Sequence, residues 1–321
     1  MQLSRKALFT DVKTGALFVP ARRADATLTA KSAGTVTITA KFGSASYGYN
    51  ISKSFTVTVN DPIAKDYEYT ISGNNVTITK YKGSGGNVTI PSTIEGKSVT
   101  AIGTDAFYGC SNLTSITIPS GVTVIGKQAF SNCSNLTSIT IPSSVTSIGE
   151  AAFNRCGSLT SISIPSGVTS IGDGAFMYCS SLTSITIPNN VGSIGLLTFA
   201  WCSNLSSITI PSSVTSIGES AFHLCSNLSS ITIPGSITSI GKAAFWSCSN
   251  LISITIPSSV SSIGNEAFKY CSKLSSAYFQ GHAPTIGIDI FGGCASSFKV
   301  YYKTGTTGWS NPWNGYTAET W

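Results

Sequence analysis

Apolar positions along this chain recur in one phrase: Leu-x-x-Ile-x-Ile-Pro, then Val-x-x-Ile-Gly, then x-x-Ala-Phe-x-x-Cys, with a period of 23 residues. One copy runs Leu136, Ile139, Ile141, Pro142, Val145, Ile148, Gly149, Ala152, Phe153, Cys156, and Leu159 opens the next. Serine and threonine fill most places between. The Thr-Ser-Ile-Thr-Ile stretch is β-branched and alternates, which predicts a short strand. Proline, having no N–H to give, ends the pairing. Val-Thr-Ser-Ile predicts a second extended segment, and the glycine after it permits a tight bend. Ala-Phe-x-x-Cys is too short for an independent helix and predicts one helical or 3₁₀ turn.

The nine cysteines keep the same beat, from Cys110 to Cys294 at every 23rd residue. So strict a period means one small unit copied and stacked, because no single copy can bury its apolar side alone. With strands ~4.8 Å apart, such a stack makes a rod roughly 40 Å long. The odd number of cysteines and their identical phase argue against disulfides, since equivalent Cβ vectors in a stack run parallel instead of facing. They are expected to be buried free thiols acting as small hydrophobes. A metal site does not fit: no two cysteines sit close together, and only His223 and His282 could add ligands.

Residues 136–153, Leu-Thr-Ser-Ile-Thr-Ile-Pro-Ser-Ser-Val-Thr-Ser-Ile-Gly-Glu-Ala-Ala-Phe, resemble the BspA-like, or treponemal, class of leucine-rich repeat. The resemblance spans residues 66–321, and successive prolines from Pro119 to Pro257 hold the 23-residue interval throughout. It implies a β-rich solenoid of about nine repeats with caps at both ends. It also implies a secreted or surface-attached protein engaged in adhesion to host proteins or to other cells.

The domain reading places an N-terminal cap and first partial repeat at residues 63–100, the solenoid at 101–294 and a C-terminal cap at 295–321. The late aromatics Tyr301, Tyr302, Trp309, Trp313, Tyr316 and Trp321 are expected to seal the last repeat, in preference to forming a carbohydrate-stacking platform. Residues 27–62 alternate differently, and Lys31-Ser-Ala-Gly-Thr-Val-Thr-Ile-Thr-Ala resembles the closing half of a group-two bacterial immunoglobulin-like domain, a partial β-sandwich. Half a sandwich has little core, so residues 1–26 are expected to be weakly ordered, and the chain to be a fragment of a longer surface protein.

Charge narrows the function classes. Only 10% of residues are charged, and the net +6 contains no run of lysine or arginine, which argues against a nucleic-acid groove or a polybasic membrane patch. No apolar stretch is long enough to span a bilayer. The run Ala7-Leu8-Phe9 is too short for a signal peptide, so any export signal is expected outside this chain. The 13 carboxylates are scattered, no serine stands out, and His223 is expected to be exposed beside Phe222. No convergent titratable set emerges, so the chain reads as a non-enzyme without cofactor or metal. A monomer is expected.

Two surfaces compete as binding faces. The outward strand positions form a nearly uniform hydroxyl sheet suited to a repetitive ligand such as a glycan. The Ala-Phe-x-x-Cys turns vary most, and stacking should align Tyr178, Leu196, Leu197, Trp201, His223, Leu224, Trp246 and Tyr270 into an apolar, aromatic stripe. Such stripes suit protein partners. The function read from these features is a secreted or cell-surface scaffold for adhesion or protein recognition, binding a host matrix or cell-surface protein, or a glycan. The competing reading is a spacer that displays other domains.

Overall fold

The computed structural model describes residues 64–321, together with the backbone of three strands, Ala16–Phe18, Gly34–Ser44 and Tyr49–Val59. The last two pair antiparallel, and Ala16–Phe18 runs parallel to Gly34–Ser44. The readings of residues 1–26 as weakly ordered and 27–62 as a partial immunoglobulin-like segment otherwise lie outside the described residues.

The larger of two compact units takes in residues 67–92 and 98–321. It is a β-solenoid whose rungs repeat at the 23-residue interval. Most rungs carry a front strand, such as Ser138–Thr140, and a back strand, such as Ser147–Ile148, whereas residues 161–163 and 230–232 form no front strand and Ile194 makes only a single bridge to Ile217. Both join their copies in neighbouring rungs in parallel, with Ser115 opposite Ser138 in front and Ile125, Ile148 and Ile171 aligned behind. Alternation decides which side chains go inside. In Ser253–Ile256 the two isoleucines are buried, while Ser253 and Thr255 face solvent.

The turn at Ala-Phe-x-x-Cys supplies the centre of the core. Every 23rd residue from Phe107 to Phe291 is phenylalanine, and all are buried. Their rings form a column with centroids 5.1–5.6 Å apart and planes within 24° of parallel. Tyr81 stacks on Phe107 at 5.0 Å and closes one end of the column. At the other end Phe291 meets Phe298 at 4.5 Å, and Phe279 packs edge-on against Trp309 and Trp313.

The cysteines lie beside this column, and all nine are free thiols. From Cys133 to Cys294 each Sγ–H donates to the carbonyl of the phenylalanine one rung back, as in Cys156 to Phe130 at 3.2 Å and Cys202 to Phe176 at 3.1 Å. Cys110 and Cys294, at the two ends, are half-buried, and the rest are fully buried. Burial pushes these thiols up, with Cys133 and Cys202 reaching about 12.

The turn itself corrects the expectation of a helical or 3₁₀ turn. From Ala151 to Cys156 the backbone N–H groups alternate their targets. Ala151, Phe153 and Arg155 donate to Asp173, Ala175 and Met177 of the next rung, each at 2.8 Å. Ala152, Asn154 and Cys156 donate three residues back within their own rung. A helix would spend every N–H internally and leave the facing carbonyls of the neighbouring rung unpaired inside the stack. Sharing them between rungs bends the chain through left-handed residues, here Ala151 at φ 52° and Arg155 at φ 60°. Where the phenylalanine column ends, the Phe291 N–H donates to the Tyr316 hydroxyl at 3.2 Å.

Candidate functional site: the aromatic row

The residue before each cysteine is locked in the left-handed region by the turn just described. End rungs fill that slot with Gly109 and Gly293, for which the conformation carries no steric cost. The middle rungs place bulky side chains there: Arg155, Tyr178, Trp201, Leu224 and Tyr270, all at φ 59–60°. A side chain with a Cβ gives up about 1 kcal/mol or more in this region. Ser247 sits in the same slot at φ 56° and is outside the aromatic row. Ser247→Gly is therefore expected to raise stability by about 1 kcal/mol in urea unfolding.

Across the rungs these residues meet in one continuous row. Tyr178 stacks on Trp201 at 4.6 Å, and Trp201 meets His223 at 4.7 Å. His223 stacks on Trp246 at 4.6 Å, and Trp246 takes Tyr270 edge-on at 5.2 Å. Two slots feed the row: Tyr178, Trp201 and Tyr270 precede cysteine, whereas His223 and Trp246 follow phenylalanine. The row therefore steps sideways between Trp201 and His223, where the rings tilt by 53°.

His223 corrects the expectation of an exposed side chain. Its ring lies half-buried between the two indoles, and its Nδ1 is buried with no hydrogen-bond partner. Burial lowers its pKa, which favours the neutral ring. Leu224 shares the left-handed slot and is half-buried, as is Leu197 at φ 56°. Leu196 lies at the opening of its turn, 41% exposed, in the slot that holds Asp173 and Glu219 in neighbouring rungs.

A cation stands over each end of the row, and reading the sequence for apolar residues alone passed over both. The Arg155 guanidinium lies 4.7 Å from the Tyr178 ring centroid, and the Lys269 ammonium 5.4 Å from that of Tyr270. Their positions were available as signals, since Arg155 is one period before Tyr178 and Lys269 one period after Trp246. Lys269 also bonds Glu266 at 2.7 Å and Asp289 at 3.0 Å, which raises its pKa.

The competing hydroxyl face partly satisfies itself. Thr137 donates to the Thr114 carbonyl at 3.0 Å and Ser206 to that of Thr183 at 3.1 Å, tying rung to rung. Along the turn edge, Lys127 pairs with Glu150 at 2.9 Å and Lys242 with Glu219 at 3.5 Å. Asp173 accepts the Leu196 N–H at 2.8 Å. His282 is exposed and accepts from the Thr307 backbone N–H. Among the described residues no group of three or more histidine, cysteine or carboxylate side chains is placed to hold a metal ion.

The profile of the BspA type leucine rich repeat region matches residues 81–206 and 192–309. The chain belongs to the BspA-type leucine-rich repeat family. Solved structures agree with that assignment. A leucine-rich repeat protein of T. pallidum is 34% identical, with a TM-score of 0.56, covering 60% of this chain and 91% of that one. One from Bacteroides ovatus is 32% identical with a TM-score of 0.60, covering 74% and 70%. A leucine rich cell surface protein of Faecalibacterium prausnitzii is also 32% identical, with a TM-score of 0.59, covering 73% and 74%. No protein of curated function matches. On the BspA-type scaffold, whose rungs are otherwise close copies, the row from Arg155 to Tyr270 is a break in uniformity that runs continuously from rung to rung. No helix among the described residues is long and apolar enough to cross a membrane.

Proposed function

We propose that the chain is a non-enzymatic, extracellular or cell-surface scaffold, and that its aromatic row recognises a host matrix or cell-surface protein. The observation that carries this reading is the row itself: tyrosine and tryptophan kept at left-handed positions where other rungs use glycine, and packed ring to ring across five rungs. Strain retained at particular positions is a mark of function, and tryptophan, tyrosine and arginine dominate the energetics of protein interfaces. The cell-surface description of the Faecalibacterium prausnitzii relative supports the location.

A glycan partner is the weaker reading. Sugars stack on open ring faces, whereas the faces of Tyr178 and Trp201, and of His223 and Trp246, are turned to one another within 17°. Catalysis is weaker still. His223 is held between indoles, and the turn-edge carboxylates named above are already engaged by lysines or a backbone N–H.

Replacing Tyr178, Trp201 and Trp246 together with serine is expected to weaken binding to matrix proteins or cells by about a hundredfold or more. The far-ultraviolet circular dichroism should stay the same, because the phenylalanine column is untouched. Undiminished binding by the folded triple variant removes the row from consideration. A wild-type chain that binds neither matrix proteins nor cells is a spacer.

A further inference from the structure

Arg155 is the one arginine among the described residues. It is exposed, sits at φ 60°, and forms no ion pair among those residues, although lysines elsewhere on the solenoid do. Stacking on Tyr178 at 4.7 Å holds the guanidinium at the head of the row. A stacked guanidinium keeps its in-plane N–H fork free, and that fork matches a carboxylate with two parallel hydrogen bonds.

The rest of the row points to the same ligand chemistry. Tyr178 with Trp201, and His223 with Trp246, stack face to face, so each stacked pair offers ring edges to its sides, and the edge is the positive rim of the aromatic quadrupole. The indole N–H groups of Trp201 and Trp246 are not buried and meet no protein acceptor among the described residues, so they are free donors. The opposite end is different: Lys269 is already held by Glu266 and Asp289, two carboxylates to one ammonium. The row is thus cationic at Arg155, donor-rich along its middle and net negative past Tyr270.

Building on the reading of the row as a protein-recognition surface, we propose that its occupant is an extended polypeptide segment carrying a carboxylate, seated on Arg155. The segment's backbone carbonyls and apolar side chains lie along the edges of Tyr178, Trp201 and Trp246. A carboxylate placed at the far end meets Glu266 and Asp289 and is repelled, so the charge arrangement also sets the direction of the bound segment.

The test is direct binding of labelled synthetic peptides of about ten residues, chosen to be extended at the scale of the row. The probes are an alternating Ser-Leu peptide with a single glutamate at one end, the same peptide with glutamine for glutamate, and one with lysine there. Binding to the full chain is followed by fluorescence anisotropy at low and high salt. The glutamate peptide should bind about tenfold tighter than the glutamine peptide, and the lysine peptide weakest of the three. The glutamate advantage should shrink as salt is raised. R155Q should remove that advantage, so that the glutamate and glutamine peptides bind alike, and W201S should lower the affinity for both.

Equal binding of the glutamate and glutamine peptides, absence of binding by either, or an advantage that survives R155Q each overturns the carboxylate assignment. That failure is separable from failure of the row itself. If the triple serine variant loses cell or matrix binding while the peptides do not discriminate, the row stands and only the ligand chemistry falls.

Discussion

Between about pH 10 and 11 the folded solenoid is expected to unfold, driven mainly by its own thiols. The physical basis is the ladder of fully buried cysteines from Cys133 to Cys271. Cys202 rises from an ordinary 9.0 to about 12 through burial, and the others shift in the same direction. A group whose folded pKa lies above its unfolded value keeps its full stabilising effect below the unfolded pKa. That effect is lost as pH climbs toward the folded pKa, because only the unfolded chain releases the proton. Each pH unit above 9.0 costs about 1.4 kcal/mol per thiol, so Cys133 and Cys202, both raised to about 12, alone cost about 5 kcal/mol by pH 11. That is comparable to the whole stability of an ordinary domain.

Circular dichroism followed against pH measures this directly. A variant with Cys179, Cys202 and Cys225 changed to alanine should be somewhat less stable at pH 7 and yet unfold at a higher pH than the parent. Tyrosine and lysine titrate in both proteins, so the difference isolates the thiols. An unchanged or lower alkaline midpoint in the variant removes the ladder as the cause.

The second large effect concerns the bend after each back strand. A Cβ built on Gly149 would stand 2.6 Å from the Gly126 carbonyl carbon and from the Lys127 nitrogen, both backbone atoms of the preceding rung. Backbone held by ladders on two sides cannot yield cheaply. Gly149→Ala is therefore expected to cost about 3 kcal/mol or more, at the upper end of overpacking. It should also divide unfolding into two steps, because rung-to-rung coupling is what makes a stack unfold as one. Gly235 has nothing within 4 Å of such a Cβ, so Gly235→Ala should change stability by less than about 1 kcal/mol. Urea unfolding of the two variants beside the parent decides it, and equal midpoints for both remove the close-approach account.

Much of the fold could be read before any coordinates. The recurrence of Phe107, Phe130 and their successors at one interval implies that they meet, since stacking is the only way each can be buried. The free thiols followed from the same phase argument. What the chain conceals is the conformation of the turn. By local propensity nothing in Ala151 or Tyr178 suggests a left-handed residue, and the backbone adopts that shape only because the next rung offers carbonyls at 2.8 Å. Interaction across a period overrides preference within it.

The site was legible to a lesser degree. Tyr178, Trp201, Trp246 and Tyr270 stand out because aromatic residues interrupt a monotonous slot. The surroundings of His223 could not be read from its own neighbours in sequence, because the indoles that enclose it belong to the rungs before and after. Arg155 was passed over for a different reason: a search for apolar stripes leaves out the cation that stacks on one.

One hydrogen bond at the far end carries a consequence for how such chains vary. In each inner rung a carbonyl of the following rung receives the phenylalanine N–H, and at Phe291 the Tyr316 hydroxyl takes over that duty. The tail therefore mimics a missing neighbour and will accept any stack that presents the same end. Reach can grow or shrink by whole periods without redesign of either terminus, and each added period offers one more place on which the outer row can be rewritten.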